Sequence, residues 1–358
     1  MPSKIKVAIA GVGFGEKYAI GLKAQPDVEI AGVFSRRPER AAAMAAKFDI
    51  PFSTHRFRDL LDLPGLDVLA VVTPNSTHAE YVHAALRAGL HVICDKPLGI
   101  DTRQAQEMLL AAQRARVKHV TFVPYRFSPA AVAMKRAVRN EQLGRIISVR
   151  ATWAVDMRGE PLRWRFQRKL SGAGVVVDLG AHIFDLLLWW LGPIRRVLGR
   201  CRTLVPERPA EVGGRSVQVD VPDECWALLE FPQQGVGCVS LSWNAQRDQQ
   251  VEVEGTRGRL VYQSPSLLQW LSGRGPFNPT VTLTPTAAPG RTTQIPLPED
   301  ASFTAADDAL ARMFRDIVAY LRGAEKPASV ATFEDGVRAL QIADAIEESD
   351  ASGTWVDL

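Results

Sequence analysis

A lysine at the end of an apolar run is the first candidate for chemistry in this sequence. Lys96 follows the mostly apolar residues 90–94 and lies between Asp95 and Pro97. Burying an ammonium group costs solvation energy, so a structural ion pair and a catalytic role are both open. Pro97 has no N–H for a strand hydrogen bond, and the predicted strand therefore ends before it. Lys96 would then lie at the carboxyl end of a strand, where open α/β sheets bind ligands.

A second group of candidates lies in a predicted helix over residues 175–191. Asp178, His182 and Asp185 are spaced so that a continuous helix would place all three on one face. A carboxylate beside an imidazole fixes its tautomer and raises its pKa, which suits exchange of a hydroxyl proton near neutral pH. A capping aspartate and a hydrogen-bonded core histidine would give the same spacing. We expect Asp185 to be a structural partner.

A glycine-rich turn follows the first predicted strand. Gly11, Gly13 and Gly15, with Phe14 between the last two, open a predicted helix. A phosphate can approach bare backbone at such a turn and meet the positive end of the helix. The dinucleotide pattern would place its third glycine where this chain has Glu16. We predict dinucleotide binding here, with an ordinary strand–helix turn as the alternative.

The end of the second predicted strand indicates which nicotinamide cofactor is used. Ser35, Arg36 and Arg37 occupy the position where a carboxylate would bind the ribose 2′-hydroxyl of NAD. Arginines suit a phosphate through paired donors and a permanent charge, so the sequence favours NADP(H) over NAD(H). The alternative is that both arginines face solvent and that adenine stacks on one of them.

The third predicted strand also ends in polar residues. Thr73, Pro74 and Asn75 form a turn there, and Asn75 would contact a ribose or the nicotinamide, or form an Asx turn. His78 lies in the first turn of the next helix, where capping or packing histidines are common. With Asp95 and Lys96, these residues complete the predicted cofactor-binding set.

The elements that must position these residues follow two patterns. Over about the first 120 residues, continuous apolar strands alternate with helices, which indicates a parallel sheet covered on both faces. Later strands alternate polar and apolar residues, as is typical of an antiparallel sheet with one buried face. Helices over 305–321 and 333–348 close the chain. We predict domains at 1–124 and 125–358, with a C-terminal segment that could pack back on the first domain.

Composition excludes several classes of protein. The 358 residues carry a formal net charge of +4 and no block of Lys and Arg with interleaved aromatics, which argues against nucleic-acid and membrane-surface partners. The N-terminus runs directly into a strand, so we expect no signal peptide and a cytoplasmic location. The cysteines lack zinc spacings, and we predict reduced thiols and no metal site. They are Cys94, Cys201, Cys225 and Cys238.

Together these motifs resemble the glucose-fructose oxidoreductase/inositol dehydrogenase/rhizopine-catabolism (Gfo/Idh/MocA) family of oxidoreductases over nearly the whole chain. The matching segments are Gly11-Val12-Gly13, Thr73-Pro74-Asn75-x-x-His78, Ala88-Gly89-Leu90-His91-Val92, Asp95-Lys96-Pro97, Tyr125-Arg126-Phe127-x-Pro129, Leu143-Gly144-Arg145-Ile146, Gly172-Ala173-Gly174-Val175-Val176-Val177-Asp178-Leu179-Gly180-Ala181-His182-x-x-Asp185 and Gly255-Thr256-x-Gly258. Three positions depart from the family pattern. Asp95 replaces the usual glutamate, Ala173 a glycine, and Glu16 the third glycine of the fingerprint.

The resemblance implies an α/β Rossmann domain with a parallel sheet, followed by an α+β domain with an open, mostly antiparallel sheet. It implies hydride transfer between NAD(P) and a sugar, cyclitol or related polyol or ketone. It further implies that Lys96, Asp178 and His182 meet the substrate opposite the nicotinamide. Which of Lys96 and His182 is the main proton donor stays open. Family members often have a cis peptide before the proline that matches Pro97.

Substrate selection is expected to depend mainly on residues 153–168. Aromatic faces suit the apolar side of a sugar ring, and arginines suit hydroxyls, carboxylates or phosphates. The predicted substrate contacts are Tyr125, Arg126, Trp153, Arg158, Trp164 and Arg165. Two other functions stay open: a glycoside hydrolase that retains NAD, and a non-catalytic NAD(P)-dependent sensor. By analogy, the open sheet suits a homodimer or homotetramer.

Overall fold

A computed structural model describes residues 4–211, 214–232, 235–245, 249–298 and 305–358 of the chain. The sequence Gln233-Gln234-Gly235 predicts a turn, and its first two residues lie outside these ranges. The described residues divide into two compact units. The first comprises those within Met1–Gly99, Arg103–Val123 and Phe303–Val337, and the second those within Ile100–Thr102, Pro124–Ser302 and Arg338–Leu358.

The strands and helices are numbered here in chain order. The strands are β1 (Ile5–Ala10), β2 (Val28–Phe34), β3 (Ser53–Thr54), β4 (Val68–Val71), β5 (His91–Asp95), β6 (His119–Phe122), β7 (Ile146–Ala154), β8 (Arg196–Arg202), β9 (Glu207–Pro209), β10 (Ser216–Gln218), β11 (Glu224–Glu230), β12 (Val236–Ser242), β13 (Gln249–Gly255), β14 (Gly258–Ser264), β15 (Thr280–Pro285), β16 (Thr293–Gln294) and β17 (Val356–Asp357). The helices are α1 (Gly15–Lys23), α2 (Pro38–Phe48), α3 (Phe57–Leu61), α4 (His78–Arg87), α5 (Thr102–Ala115), α6 (Pro129–Arg139), α7 (Arg168–Ser171), α8 (Val175–Asp178), α9 (Gly180–Leu191), α10 (Leu267–Leu271), α11 (Ala306–Leu321) and α12 (Phe333–Ser352). Short 3₁₀ turns cover Asn75–Thr77, Pro124–Phe127 and Trp164–Phe166.

The first unit is built on a parallel sheet. In the described residues its strands follow the order β3-β2-β1-β4-β5-β6, and every neighbouring pair is parallel. Strands β4 and β6 are buried at each position, which is why their sequences are apolar without alternation. This order is that of the Rossmann dinucleotide-binding fold and confirms the predicted fold class of this unit.

Helix α11 completes the first unit, although it lies about 180 residues after the last strand of that sheet. The Phe314 ring packs against Tyr18 and Phe122, with centroid distances of 5.1 and 5.3 Å. Gly21 of α1 leaves space for this ring, because a Cβ there would lie 2.2 Å from Phe314 Cδ2. The core of the first unit therefore includes a C-terminal helix.

The second unit contains a mixed sheet with the described order β16-β15-β14-β13-β7-β12-β11-β8-β17. Strands β7 and β12 are parallel, and the other neighbouring pairs are antiparallel. Strand β11 shows the predicted alternation: Ala227 and Leu229 are buried, whereas Trp226 and Leu228 are exposed. The mostly antiparallel sheet with one buried face confirms the predicted α+β architecture.

The helix predicted over 175–191 is two helices. Its axis bends by 43° between the segment Arg168–Asp178 and α9. At the bend the His182 N–H donates to Leu179 O in a 3₁₀-type bond of 3.1 Å. Gly180 begins α9, and the Phe184 ring packs where a Cβ of residue 180 would be, 2.5 Å away. The prediction of one continuous helix over 175–191 is therefore wrong, and Asp178 lies in a different helix from His182 and Asp185.

The same bent pair is relevant to membrane insertion. In the part of the chain that the structure describes, no single helix is long and apolar enough to cross a membrane. The segments Arg168–Asp178 and Gly180–Leu191 satisfy the criteria of length and composition only when they are taken together. Most side chains of α9 are buried within the second unit.

Candidate functional site

The glycine turn after β1 has open backbone at its centre. Gly11 has φ +114°, and a Cβ there would lie 2.3 Å from Val72 O, so only glycine fits. Gly13 is exposed, and a Cβ there would meet no atom within 4 Å. Helix α1 starts two residues later and directs its N-terminal N–H groups toward this turn. The turn can therefore accept a phosphate against bare backbone.

The departure from the glycine pattern leaves this turn intact. Gly15 is buried, with its Cβ position 3.4 Å from Ile9 Cγ2, so α1 packs closely on β1. The Glu16 carboxylate lies 2.6 Å from Lys47 Nζ of α2, which compensates its negative charge. Phe14 precedes α1, and its ring packs edge-on against Tyr18.

The end of β2 carries two positive charges. Arg36 and Arg37 are exposed, and within the described ranges no carboxylate lies within ion-pair distance of either. Ser35 connects this turn to β3 through an N–H bond of 3.1 Å to Thr54 O. The Ser35 hydroxyl accepts a bond of 3.3 Å from the Arg37 N–H. The arrangement leaves both guanidinium groups available to an anionic ligand.

His78 connects the turn after β4 to the turn after β5. Its Nε2 lies 2.9 Å from Thr73 O and its Nδ1 3.0 Å from Pro97 O. The ring is fully buried, and desolvation holds its pKa below the usual value. The ring donates to one of these two carbonyls when it is neutral and to both when it is protonated. His78 thereby holds the two loops together.

The turn after β4 is ordered by its own side chains. The Thr77 hydroxyl donates 2.8 Å to Pro74 O and lies 2.7 Å from the Thr73 hydroxyl. Asn75 is buried in the 3₁₀ turn that follows, whereas Thr73 and Pro74 are half-buried. The structure therefore brings the polar turn after β4 next to the glycine turn, since Gly11 is adjacent to Val72 and Thr73.

Lys96 lies directly after β5, as predicted, and is half-buried. The Lys96–Pro97 peptide is cis, as the family resemblance implies. The preceding Asp95 accepts a hydrogen bond of 3.3 Å from the hydroxyl of Tyr18, which is fully buried in α1. Burial and the neighbouring Asp95 carboxylate raise the pKa of Tyr18 well above its usual value.

Tyr18 was missed by sequence reasoning. The sequence did contain a signal, a tyrosine on the apolar side of α1. A buried phenol requires a hydrogen-bond partner, so such a tyrosine indicates a polar contact inside the core. Its partner, Asp95, lies at the end of another strand and cannot be identified from spacing alone.

In the second unit, His182 is buried against aromatic rings. Its ring lies 4.8 Å from that of Tyr125, edge-on at 65°. The Tyr125 hydroxyl accepts a bond of 3.1 Å from the Leu267 N–H, and burial raises the pKa of Tyr125 to about 12. Trp153 packs behind Tyr125 at 5.0 Å and is also fully buried. Tyr125 thus packs directly on His182, and Trp153 supports Tyr125 from behind as a core residue.

Asp178 belongs to a half-buried polar cluster. The Arg165 Nε lies 3.7 Å from Asp178 Oδ2, and the Arg165 guanidinium stacks over Trp164 at 4.4 Å from the ring centre. The structure brings these three predicted residues together. Arg158 instead binds Asp156 through bonds of 3.0 and 2.7 Å and is exposed.

Arg126 forms a buried ion pair. Its Nε and Nη2 donate to the two carboxylate oxygens of Asp185, each at 2.7 Å. Both side chains are almost completely buried, and the guanidinium also lies over the Trp189 ring. The expected structural role of Asp185 agrees with this geometry.

Arg208 supports the loop before α7 and was also missed. Arg208 lies between Pro206 and Pro209, where the prolines predict a surface loop, but it is 1% exposed. Its Nη1 donates to Glu160 O at 2.8 Å and to Met157 O, and its guanidinium lies 3.8 Å from the Phe166 ring centre. An arginine between prolines carries no sequence signal for burial, because its partners are carbonyls about 50 residues earlier.

Metal binding has no candidate in the described part of the chain. No group of three or more His, Cys, Asp or Glu side chains is placed there to hold an ion.

Comparison with known proteins identifies the family. Residues 5–122 match the model of an oxidoreductase family with an NAD-binding Rossmann fold, and residues 131–261 match the GFO/IDH/MocA C-terminal domain. Levoglucosan dehydrogenase of Pseudarthrobacter phenanthrenivorans is 31% identical over 72% of this chain and 73% of its own. D-xylose 1-dehydrogenase (NADP(+)) 2 of Haloferax volcanii is 27% identical over 97% of both chains.

A solved structure supports the same assignment over the full length. Levoglucosan dehydrogenase in complex with NADH and levoglucosan has a TM-score of 0.86 and 27% identity, covering 99% of both chains. The matched description of an NAD-binding Rossmann fold agrees with the parallel sheet of the first unit. The chain therefore belongs to the Gfo/Idh/MocA family and is a sugar-dehydrogenase-like oxidoreductase with an NAD-binding Rossmann domain.

Proposed function

We propose that this protein is an NADP(H)-dependent oxidoreductase that transfers hydride to or from a sugar, a cyclitol or a related polyol or ketone. The observation that carries the cofactor preference is the pair of exposed arginines, Arg36 and Arg37, at the end of β2. A 2′-phosphate would find two permanent charges there in place of a carboxylate. The substrate class is supported by relatives that are named as levoglucosan and D-xylose dehydrogenases.

The cofactor would be held entirely by residues of the first unit. The proposed contacts are Gly11, Gly13, Phe14 and Gly15 for the pyrophosphate, Ser35, Arg36 and Arg37 for the 2′-phosphate, and Thr73, Pro74, Asn75, His78, Asp95 and Lys96 toward the nicotinamide. The open backbone at Gly13 supports the first group. The bound cofactor supplies the hydride acceptor or donor. In this scheme His78 acts by holding the Thr73 and Pro97 carbonyls in fixed positions.

Proton transfer is assigned to Lys96 and His182. Oxidation of a hydroxyl carbon releases the hydroxyl proton, and reduction of a carbonyl requires one, so a base or acid must face the reacting oxygen. Lys96 lies at a strand end in the first unit. His182 belongs to the second unit and follows Asp178 by four residues in the sequence. We propose that Asp178 orients the substrate or the imidazole, and that the guanidinium of Arg165 holds the Asp178 side chain in place.

Substrate contacts are assigned according to burial. Trp164 and Arg165 are half-buried and next to Asp178, so we propose that they contact the sugar ring and its hydroxyls. Tyr125, Arg126 and Trp153 are buried, and we propose that they fix the substrate-binding side chains in place. The exposed Arg158, paired with Asp156, would contribute at the edge of the site.

The cofactor assignment is tested by binding. NADPH should bind at least tenfold more tightly than NADH in a fluorescence titration, a difference of about 1.4 kcal/mol. The double variant R36A/R37A should lose this preference and retain its affinity for NADH. Arg40→Ala, an exposed arginine in the same region, is the matched control and should retain the preference. Equal affinity for both cofactors in the unmodified protein would contradict the role given to Arg36 and Arg37.

The reaction is tested by a substrate screen. Sugars, uronic acids, inositols and small ketones are offered with each cofactor, and the absorbance of the reduced nicotinamide is followed. We expect net cofactor turnover with at least one class, and a large loss of rate in Lys96→Ala and in His182→Ala. Hydrolysis of a glycoside by a protein that purifies with tightly bound NAD, without net turnover of added cofactor, would replace this proposal.

We also propose that the protein forms a homodimer or homotetramer through the uncovered face of the second sheet. Trp226, Leu228 and Val236 lie on this face in adjacent strands, with exposed fractions between 45% and 55%. A second copy of the same face would remove this apolar surface from water. Light scattering should give the mass of an oligomer, and Trp226→Asp should reduce it. A monomer at micromolar concentration would contradict this assignment.

A further inference from the structure

Two cysteines that are far apart in sequence are directly opposite each other in the second sheet. Strands β8 and β11 are antiparallel, and their register pairs Cys201 with Cys225. Residues directly opposite on antiparallel strands have Cα atoms about 4.5–5.5 Å apart. That separation lies inside the range of about 4.4–6.8 Å which a disulfide spans.

Both thiols lie on the same face of the sheet. Cys225 alternates with the exposed Trp226 and Leu228, so its side chain is on the buried face, and the residue opposite it projects to the same side. A hydrogen bond between the Cys201 and Cys225 side chains raises the pKa of Cys225, together with burial. Both cysteines are free thiols, and they face each other across the β8–β11 strand pair.

The two thiols differ in access to solvent. Cys225 is 1% exposed, whereas Cys201 is half-buried and lines a cavity of about 370 Å³. The charged residues that line the same cavity are Arg168, Arg202, Asp220, Glu347 and Asp350. A small reagent in this cavity reaches Cys201 first. Cys225 then lies behind it as the resolving thiol.

We propose that Cys201 and Cys225 are a site of reversible oxidation. The two residues form a cross-strand disulfide on reaction with hydrogen peroxide. The Cys201 sulfur attacks one peroxide oxygen, the O–O bond breaks, and a sulfenic acid and one water form. The Cys225 sulfur then displaces the sulfenic oxygen as a second water and forms the S–S bond. In total the two thiols lose two electrons and two protons, and one peroxide becomes two waters. Dithiothreitol reverses the modification by thiol–disulfide exchange.

The other two cysteines provide internal controls. Cys238 is exposed and lies opposite Leu228, so it is on the uncovered face of the sheet, away from Cys201. Cys94 is buried in β5 of the first unit. Oxidation of Cys238 shows that peroxide has reacted with accessible thiols. A reduced Cys94 shows that the first unit has stayed folded.

The full-length protein is treated with hydrogen peroxide, alkylated under acidic denaturing conditions and digested without reductant. We expect a peptide pair linked through Cys201 and Cys225 in the mass spectrum, which dithiothreitol removes. In the Cys238→Ser variant, thiol titration in denaturant should fall from three to one, because Cys94 remains reduced. Cys201→Ser and Cys225→Ser should each abolish the linked pair.

One result would overturn the proposal. Recovery of Cys201 and Cys225 as separate peptides, alkylated or oxidised individually, under conditions that oxidise Cys238, shows that they do not form the disulfide. This measurement uses the unmodified protein, so it stays decisive even where a serine variant fails to fold.

Discussion

Asp185 accepts two hydrogen bonds of 2.7 Å from the guanidinium of Arg126, and the side chains of both residues are almost fully buried. The pair connects the 3₁₀ turn Pro124–Phe127 to α9, the helix that carries His182. Two charged groups in this position compensate each other, but neither can be removed alone without leaving a buried charge. The geometry of the helix beneath His182 therefore depends on this ion pair.

Removing the cation should destabilise the second unit strongly. Arg126→Met leaves the Asp185 carboxylate buried without its partner, and we expect a loss of about 3–5 kcal/mol in the free energy of unfolding. Urea denaturation followed by circular dichroism measures this loss. Arg158→Met is the matched control, because Arg158 is exposed, and should leave the denaturation midpoint unchanged. An equal loss in the free energy of unfolding for the two variants would show that the buried pair contributes no more to stability than the Arg158–Asp156 pair.

Two glycines of the turn after β1 should respond differently to alanine. Gly13→Ala adds a methyl group that meets nothing in the protein, so we expect a change of less than about 0.5 kcal/mol in stability. The same methyl group occupies the space that a phosphate needs, and dinucleotide affinity should fall at least tenfold. Isothermal titration and thermal unfolding measure the two effects.

The comparison is with Gly11→Ala, whose methyl group would lie 2.3 Å from Val72 O at a positive φ. Here stability itself should fall by about 1–3 kcal/mol. A Gly13→Ala variant that binds NADPH normally would exclude this turn as the phosphate site.

His78 should make the protein less stable at mildly acidic pH. Its pKa is lowered in the folded state by desolvation, so the unfolded chain binds more protons below the usual value of about 6.5. The stability that the neutral ring contributes is complete above that pH and is lost as the pH falls below it. The melting temperature of His78→Gln should therefore decline less than that of the unmodified protein between pH 7.5 and 5.5.

The control for this effect is His55→Gln, which changes an exposed histidine of the same unit. It should follow the unmodified protein across the whole pH range. His83, His91 and His119 also have pKa values lowered by burial, so part of the decline should remain in the His78 variant. Identical pH profiles for His78→Gln and the unmodified protein would contradict the prediction.

The Tyr18 hydroxyl should matter for turnover more than for folding. Tyr18→Phe keeps the ring packed against Phe122 and Phe314 but removes the hydrogen bond to Asp95, the residue before Lys96. We expect kcat to fall about five- to tenfold, or about 1–1.4 kcal/mol, with cofactor affinity nearly unchanged. Tyr320→Phe, which removes a hydroxyl from α11, is the control. Steady-state kinetics with the best substrate of the screen measure kcat for both variants. A normal kcat in Tyr18→Phe would contradict the prediction.

Local patterns predicted the first unit well. Strands such as β4 are buried on both faces, so their continuous apolar sequence is unambiguous, and Pro97 marks the end of β5. The glycine turn and Lys96 were located because each lies directly at a strand end. These features depend on neighbours in sequence, which is the information that spacing contains.

The second unit was less predictable where distant residues decide the geometry. The break after Asp178 separates α8 from α9 inside a segment whose spacing is helical throughout, so spacing cannot reveal it. Arg208 is buried because carbonyls of residues 157–160 accept its hydrogen bonds. The pairing of Arg126 with Asp185 spans 59 residues. Such contacts arise from the tertiary structure and leave no local pattern.

The position of Phe314 against Gly21 also bears on the order in which the chain can fold during synthesis. Domains usually fold from the N-terminus as they leave the ribosome. Here the core of the first unit includes α11, and the sheet of the second unit ends in β17 at residues 356–357. Neither unit can finish burying its apolar surface until the last elements have been made. The nascent chain therefore exposes apolar surface for most of its synthesis, and truncation before α11 removes part of the core of the dinucleotide-binding unit.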